Sequence, residues 1–267
     1  MAMALIGNIS MYYELYGNGK TLILISGFGA DHTSWYGMVN ILKYNYQILL
    51  VDTRGVGETA VGNECISIDL LSGDIVKLCH SLGIEQAHFI GHSMGGCIVQ
   101  NIAYKYKNIV LSSVIMNSCM IADTSYKYFL DAYYELIKLN TSKATLIKLM
   151  ISWTFSPKFL DNPKNYETII DNLLSKKSYG NIEGFMPRYD ALFSFDSTSW
   201  AEQINQPTLV IAGGRDLILS CFLSEKMYQK IPNSIYHCFP ECGHVPHVEY
   251  LLETVKIISK FIETKVI

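Results

Sequence analysis

Hydrophobic residues follow two rhythms along the chain. Short runs of apolar and β-branched residues alternate with longer segments whose apolar positions recur every three or four residues. The short runs predict strands that are buried on both faces of a sheet, at residues 21–25, 46–52, 87–91, 110–117, 206–214 and 234–239. Strands that alternate with helices in this way predict a mostly parallel sheet with right-handed crossovers.

The longer segments predict helices between these strands. One runs from Ser67 to Leu82, with Ser67 as its N-cap and Gly83 as its C-cap. The others lie near residues 32–43, 98–106, 221–230 and 249–262. An N-terminal hairpin is expected to turn at Gly7-Asn8. Together these elements predict one α/β domain.

The alternation breaks between about Cys119 and Trp200, where only helical patterns occur. We therefore expect a core domain of residues 1–118 and 201–267, and a helical cap insertion of residues 119–200 over one end of the sheet. The insertion holds almost half of the chain's aromatic residues, which predicts an apolar substrate site. The rings that we expect to line it belong to Tyr126, Phe129, Trp153 and Phe155.

Composition narrows the range of partners. The chain of 267 residues is 49% hydrophobic and carries a net charge of -3, which gives no reason to expect nucleic acid as a ligand. The N-terminus lacks the pattern of a signal peptide, and no apolar run reaches the length of a membrane span. Seven cysteines without framework spacing favour a reducing compartment. We expect a cytoplasmic protein that binds a small molecule.

The first candidate catalytic motif lies in "AHFIGHSMGGCIVQ", residues 87–100, where a predicted strand turns directly into a predicted helix. Gly91, Gly95 and the glycine after it let the backbone pass close to its neighbours, and Ser93 occupies the apex of the turn. This is the G-x-S-x-G pattern of a nucleophile elbow, in the strand-turn-helix context that the pattern requires. We interpret Ser93 as a nucleophile, and the adjacent His92 as a packed or hydrogen-bonded histidine.

A serine hydroxyl needs a base, and the base needs a carboxylate to hold its tautomer. His244 follows the last strand in a loop, and it is favoured over His247, which lies at the start of the last helix. Asp216 follows the preceding strand and is the favoured acid, with Asp123 as the alternative. Ser93, Asp216 and His244 would then meet at the carboxyl edge of the sheet.

An acyl transfer reaction also needs hydrogen-bond donors for the negative charge that develops on the carbonyl oxygen. The backbone N–H of Met94, at the start of the helix after Ser93, is one predicted donor. The backbone N–H of Phe28, in the loop "ISGFGAD" after an earlier strand, is the second. No cofactor is expected at such a site.

A cluster of histidines and cysteines in "HCFPECGHVPH" invites comparison with a zinc site. Its members are His237, Cys238, Cys242, His244 and His247. Their spacing does not fit paired zinc ligands, and neighbouring residues of a strand face opposite sides. We expect no metal there.

At the residues around Ser93, Asp216 and His244 the chain resembles the α/β-hydrolase superfamily. "DTRGVGET", residues 52–59, is similar to a loop of its small esterase and lactonase branch, in which Arg54 has a structural role. The resemblance implies an α/β-hydrolase fold, with an eight-stranded, mostly parallel sheet, helices on both faces and a helical cap. Many relatives have His-Gly where this chain has Ser26-Gly27, which changes the support of the oxyanion loop.

The elbow with Asp216 and His244 predicts hydrolysis of a carboxylic ester through an acyl-enzyme, and the aromatic residues of the insertion favour a small to medium, largely apolar acyl group. The alternatives are an enol-lactone, or the methyl ester of an acyl carrier protein. Positive and negative residues are equal in number in residues 119–200, so composition does not support an acidic carrier as partner. Acyl transfer, carbon–carbon bond hydrolysis, cofactor-free peroxidation and a non-catalytic ligand sensor stay open.

Overall fold

The central feature of the protein, in a computed structural model that describes residues 2–175 and 182–265, is an eight-stranded sheet. Its strands are β1 (Ala2–Ile6), β2 (Ile9–Tyr16), β3 (Lys20–Ile25), β4 (Tyr46–Val51), β5 (Ala87–His92), β6 (Val110–Met116), β7 (Thr208–Gly213) and β8 (Ser234–Phe239). Their order in space is β1-β2-β4-β3-β5-β6-β7-β8. The pairs β1-β2 and β2-β4 are antiparallel, and the remaining neighbours are parallel. The sequence predicted this architecture.

Helices connect the strands and cover the sheet. They are α1 (Tyr36–Leu42), α2 (Ile68–Ser81), α3 (Met94–Lys105), α4 (Thr124–Lys138), α5 (Lys143–Thr154), α6 (Pro157–Leu160), α7 (Pro163–Ser175), α8 (Ile182–Phe193), α9 (Cys221–Lys230), α10 (Pro246–Glu249) and α11 (Leu251–Lys265). In the described part of the chain, no helix combines the length and the apolar character that crossing a bilayer requires.

Two apolar layers lie on the two faces of the sheet. Successive side chains of a strand point to opposite faces, so Leu22 and Leu24 join one layer and Ile23 and Ile25 join the other. The first layer is completed by α1 and α11, and the second by α2 and α3. Because both faces are covered, the central strands are almost continuously apolar, as the sequence pattern indicated.

Local signals in the sequence were accurate at the turns and caps. The hairpin turns at Gly7, whose φ is 61°, and Ile6 pairs with Ile9 across it. The hydroxyl of Ser67 accepts a hydrogen bond from the N–H of Leu70 at 3.1 Å and caps α2. Gly83 follows that helix in the left-handed conformation, with φ 70°.

Two predicted helices differ in detail from those observed. The segment near residue 32 begins as a 3-10 turn, His32–Trp35, before α1. Asp52 accepts hydrogen bonds from both the backbone N–H and the ring of His32, each at 2.8 Å, and so holds this turn against β4. The C-terminal helix is interrupted at Tyr250, whose φ of -127° and ψ of 47° leave the helical region, so α10 and α11 are separate.

Between β6 and β7 lie the helices α4 to α8, here named the helical segment, and after them the short 3-10 helix Ala201–Gln203. Its helical content agrees with the predicted insertion. The bounds of the two predicted domains stay a prediction. Residues 1, 176–181 and 266–267 of those domains lie outside the described residues.

Candidate active site

The candidate site lies at the carboxyl ends of the parallel strands, where the strand order reverses. β3 and β5 are neighbours, with Ile25 opposite Gly91, yet the chain leaves them in opposite directions, towards β4 and β6. The loops that follow the two strands therefore diverge and leave a crevice, which is where ligands bind in open α/β sheets. Phe28 and Ser93 lie on these two loops.

The turn between β5 and α3 is tight and strained. Ser93 has φ 55° and ψ -121°, a conformation that non-glycine residues rarely adopt. A Cβ atom on Gly95 would lie 2.1 Å from the carbonyl oxygen of Ile25, so only glycine fits there. The carbonyl oxygen of Ser93 accepts hydrogen bonds from the N–H of Gly96 and the hydroxyl of Ser118, both at 2.8 Å. These contacts hold the serine at the apex, as the sequence motif predicted.

His244 and Asp216 form a buried pair beside this turn. His244 Nδ1 donates to Asp216 Oδ2 at 2.7 Å, and both residues are at most 6% exposed. The other carboxylate oxygen accepts the N–H groups of Ile218 and Leu219 at 2.8 and 3.0 Å. Because the carboxylate holds the proton on Nδ1, Nε2 of His244 is left as the basic nitrogen.

The two alternatives that the sequence left open have other contacts. The ring of His247 packs on Trp35 at 4.7 Å between centroids, and burial, followed by the charge of His244, lowers the pKa of His247 to about 3. Asp123 is the N-cap of α4 and accepts the N–H of Tyr126 at 3.0 Å. Of the candidates that the sequence offered, His244 and Asp216 are therefore the histidine and the carboxylate that are hydrogen-bonded to each other.

His92 connects the serine turn to the histidine loop. Its Nε2 lies 2.7 Å from the carbonyl oxygen of His244, and the two rings are 4.6 Å apart. Burial, followed by the charges of His244 and His247, holds the pKa of His92 well below its ordinary value. The ring is therefore neutral and donates its proton to that carbonyl. The sequence predicted a hydrogen-bonded role for His92, but not this partner.

The backbone segments that hold the predicted oxyanion donors lie beside Ser93, at the carboxyl ends of the strands. A Cβ on Gly27 would lie 2.9 Å from the Cβ of Ser93, so the backbone before Phe28 runs beside the serine. Met94 is the first residue of α3, and N–H groups in the first turn of a helix have no acceptor within it. The hydroxyl of Ser26 donates to the carbonyl of Asp31 at 3.0 Å. The roles of Phe28 and Met94 as donors stay predictions.

Two supporting residues were missed by the sequence reasoning. Asn117, at the end of β6, adopts φ 45° and donates to Asp216 Oδ2 at 2.8 Å. Glu249 Oε1 accepts the N–H of Gly243 at 3.0 Å and that of Ser156 at 3.1 Å. Glu249 thus ties the histidine loop to the turn between α5 and α6 of the helical segment.

A second bond joins the same two parts, because the N–H of His244 donates to the carbonyl of Thr154 at 2.7 Å. Burial raises the pKa of Glu249, and the hydrogen bonds from Ser156 and Gly243 oppose that rise. Asparagine tolerates a left-handed strand end, so Asn117 carried a weak signal in the sequence. Glu249 carried none, because its partner Ser156 is 93 residues away in the chain.

The aromatic residues predicted to bind substrate pack against other aromatic rings of the helical segment. Phe129 contacts Trp153, with ring centroids 4.3 Å apart, and lies 6.4 Å from Tyr126. Phe155 stacks on Phe159 at 5.3 Å. Their part in substrate binding stays a prediction.

The remaining motif residues have structural contacts. Arg54 Nε donates to Asp74 at 2.6 Å, and its guanidinium also pairs with Glu64 at 2.7 Å, which fits the expected structural role. Within the described residues, no group of three or more histidines, cysteines and acidic residues is arranged to hold a metal ion. The ring of His237 packs on Phe239 instead, at 4.6 Å.

Strand order and the position of the serine turn after β5 define the protein as an α/β hydrolase. The sequence agrees, and the chain belongs to the family described as alpha/beta hydrolase fold, whose sequence model matches residues 20–250. It is 26% identical over 247 residues to 3-oxoadipate enol-lactonase 1 of Acinetobacter baylyi, covering 92% of this chain and 90% of that protein.

Two further comparisons show how varied the relatives are. Pyrrolizixenacetamide deacetylase of Xenorhabdus hominickii is 24% identical over 261 residues, with 96% of each chain covered. A thermophilic esterase from Thermogutta terrifontis has the same fold, with a TM-score of 0.85, 24% identity, and coverage of 99% of this chain and 97% of that one. The two relatives are thus named as a lactonase and a deacetylase, and the protein that shares the fold is named as an esterase.

Proposed function

We propose that the protein is a serine hydrolase that cleaves a carboxylic ester with a small to medium, largely apolar acyl group. Ser93 is the nucleophile, His244 the base and Asp216 the residue that holds the tautomer of His244. The observation that carries the proposal is the buried 2.7 Å hydrogen bond between His244 and Asp216, beside a serine held at a strained turn. Three further donors, the amide of Asn117 and the N–H groups of Ile218 and Leu219, hold the carboxylate of Asp216 in place.

The reaction follows from these positions. His244 Nε2 takes the proton of Ser93 as the hydroxyl oxygen attacks the ester carbonyl, and Asp216 stabilises the imidazolium that forms. The N–H groups of Phe28 and Met94 donate to the oxyanion of the tetrahedral intermediate. His244 then gives the proton to the departing alcohol. Water attacks the acyl-enzyme by the same sequence of proton transfers and frees Ser93.

The helical segment is proposed to act as a cap that selects the substrate. Apolar rings on it favour an acyl or alkyl group over a sugar or a phosphate. Balanced charge in residues 119–200 leaves a free small molecule as the proposed partner, rather than an acidic carrier protein or nucleic acid. The seven free cysteines support work in a reducing compartment, the cytoplasm.

A lactone is the second candidate substrate, because an enol-lactonase is among the relatives and a lactone is an internal ester. The same acyl-enzyme would form, with the alcohol kept on the acyl chain. Rates with open esters of different acyl length and with lactones of different ring size therefore have to be compared on the same protein.

Hydrolysis of p-nitrophenyl esters of increasing acyl length tests the proposed function. We expect kcat/KM to rise with each added methylene, by up to about fourfold, until the apolar pocket is full and then to fall. Unsubstituted lactones and enol-lactones, measured in parallel, show whether the open ester or the ring is preferred. Absence of turnover with every ester and lactone would contradict the proposal, and rates that ignore acyl length would contradict the apolar pocket.

A further inference from the structure

Arg188, on α8 of the helical segment, is buried without an ion pair in the described part of the chain. It is 2% exposed. The chain's other buried arginine, Arg54, has two carboxylate partners, Asp74 and Glu64. Burying a charge without an opposite charge is costly, so such a group needs a compensating role or many hydrogen bonds.

The donors of Arg188 reach three loops at the candidate site. Nη1 donates to the hydroxyl of Thr53 at 2.7 Å and to the carbonyl of Arg54 at 3.0 Å. Nη2 donates to the carbonyl of Gly27 at 3.4 Å and lies 3.5 Å from Sδ of Met94. One side chain therefore contacts both loops that carry the predicted oxyanion donors.

The hydrogen bond from Arg188 to the carbonyl of Gly27 acts on the peptide group that also holds the N–H of Phe28. The carbonyl of Gly27 and the N–H of Phe28 belong to the same planar peptide group, so fixing one fixes the direction of the other. A cation that donates to the carbonyl also polarises the peptide and strengthens its N–H as a donor. Arg188 is thus placed to act on the Phe28 donor without touching the substrate.

The face of α8 that carries Arg188 fits closely against these loops. Gly184 is four residues earlier, on the same face, and a Cβ there would lie 2.2 Å from the carbonyl oxygen of Gly55. Phe185 meets Phe28 edge to face, with ring centroids 5.0 Å apart. The helix therefore contacts the oxyanion loop through two side chains, one apolar and one charged.

We propose that Arg188 is a positioning residue of the oxyanion hole, which orients the Gly27–Phe28 peptide and makes the site electropositive when the helical segment is docked. This rests on the proposed function, because it assumes an oxyanion at Phe28 and Met94. The oxyanion hole is then complete only when the helical segment is packed against the core.

The charge state of Arg188 supports this role. Burial lowers the pKa of Arg188 to about 10, and the negative charge of Asp52 opposes that decrease. The guanidinium therefore stays positive at neutral pH. In a site of low dielectric constant such a charge favours the anionic intermediate over the neutral ester.

Arg188→Met, which removes the charge and the hydrogen bonds but keeps apolar bulk, tests the proposal. We expect kcat for the best p-nitrophenyl ester to fall by about 10- to 100-fold, less than the roughly 100- to 1,000-fold for loss of an oxyanion donor itself. KM should change by less than about threefold, because the neutral ground state gains little from the oxyanion hole. Arg188→Lys keeps the charge without the planar fork, and we expect it to recover part of kcat.

Tyr189→Phe is the matched control on the same helix. The hydroxyl of Tyr189 donates to Asp131 inside the helical segment, away from the oxyanion loop. We expect its kcat to stay within about threefold of the wild type, since a single such bond contributes modestly. An equal loss of kcat in Tyr189→Phe and Arg188→Met would reduce Arg188 to a fold-stabilising residue and overturn the proposal.

The rate of labelling by a fluorophosphonate separates this proposal from the proposed function. Phosphonylation also develops negative charge on an oxygen in the oxyanion hole, and it needs no knowledge of the substrate. Slower labelling of Arg188→Met than of the wild type supports the positioning role. Equal rates overturn it and leave the hydrolase intact, and a wild type that is not labelled overturns both.

Discussion

Ser93→Ala is expected to lower kcat/KM for p-nitrophenyl esters by at least about 10⁴-fold, because the acyl-enzyme can no longer form. Serine and alanine are equally disfavoured at the strained φ of 55°, so the replacement adds no backbone strain. The melting temperature should therefore stay close to that of the wild type. Steady-state kinetics and a thermal melt on the same preparation measure both quantities.

Ser118→Ala is a suitable control for this experiment. Ser118 lies beside the turn and donates to the carbonyl of Ser93, but it has no place in the proposed chemistry. Loss of this one hydrogen bond should reduce activity by less than about tenfold. A Ser93→Ala protein that keeps its activity, or a Ser118→Ala protein that loses as much, would show that the nucleophile is misassigned.

Asp216→Asn is expected to lower kcat by about 10⁴-fold, as loss of the carboxylate leaves the histidine in the wrong tautomer and its imidazolium unsupported. The side chain keeps its size, so the loop should remain folded. Steady-state kinetics and a thermal melt on the variant and the wild type measure both quantities.

Asp123→Asn provides the comparison, because Asp123 was the other acid that the sequence allowed. Asparagine caps a helix as well as aspartate does, so the N-cap of α4 should survive. We expect activity within about threefold of the wild type, since only a half-buried helix cap is exchanged. A large loss in Asp123→Asn with little loss in Asp216→Asn would reverse the assignment of the acid.

The parts of the fold that could be predicted are those set by local sequence. Gly7, Ser67 and Gly83 carry turn and cap signals that act within a few residues, and each lies where its signal indicated. The serine turn could also be predicted, since its motif places a glycine at position 95, where the backbone passes too close to Ile25 for any side chain. Periodicity then supplied the alternation of strands and helices.

The contacts that the sequence could not reveal are those between residues that lie far apart in the chain. Glu249 joins the histidine loop to Ser156, 93 residues earlier in the chain. Arg188 bonds to Gly27, 161 residues away. Neither residue belongs to a motif, because any acidic or basic side chain in a helix has the same local pattern. His244 was favoured over His247 on placement alone, and it is the long-range contacts that separate them, since His244 bonds to Asp216 and His247 packs on Trp35.

Treatment of the wild-type protein with a fluorophosphonate probe, followed by peptide mapping by mass spectrometry, tests the central claim most directly. The probe reacts with a serine only where a base and an oxyanion hole activate it. We predict one adduct per chain, on the peptide that contains Ser93, and none in Ser93→Ala. An unlabelled wild type, or an adduct on a different residue, would contradict the account.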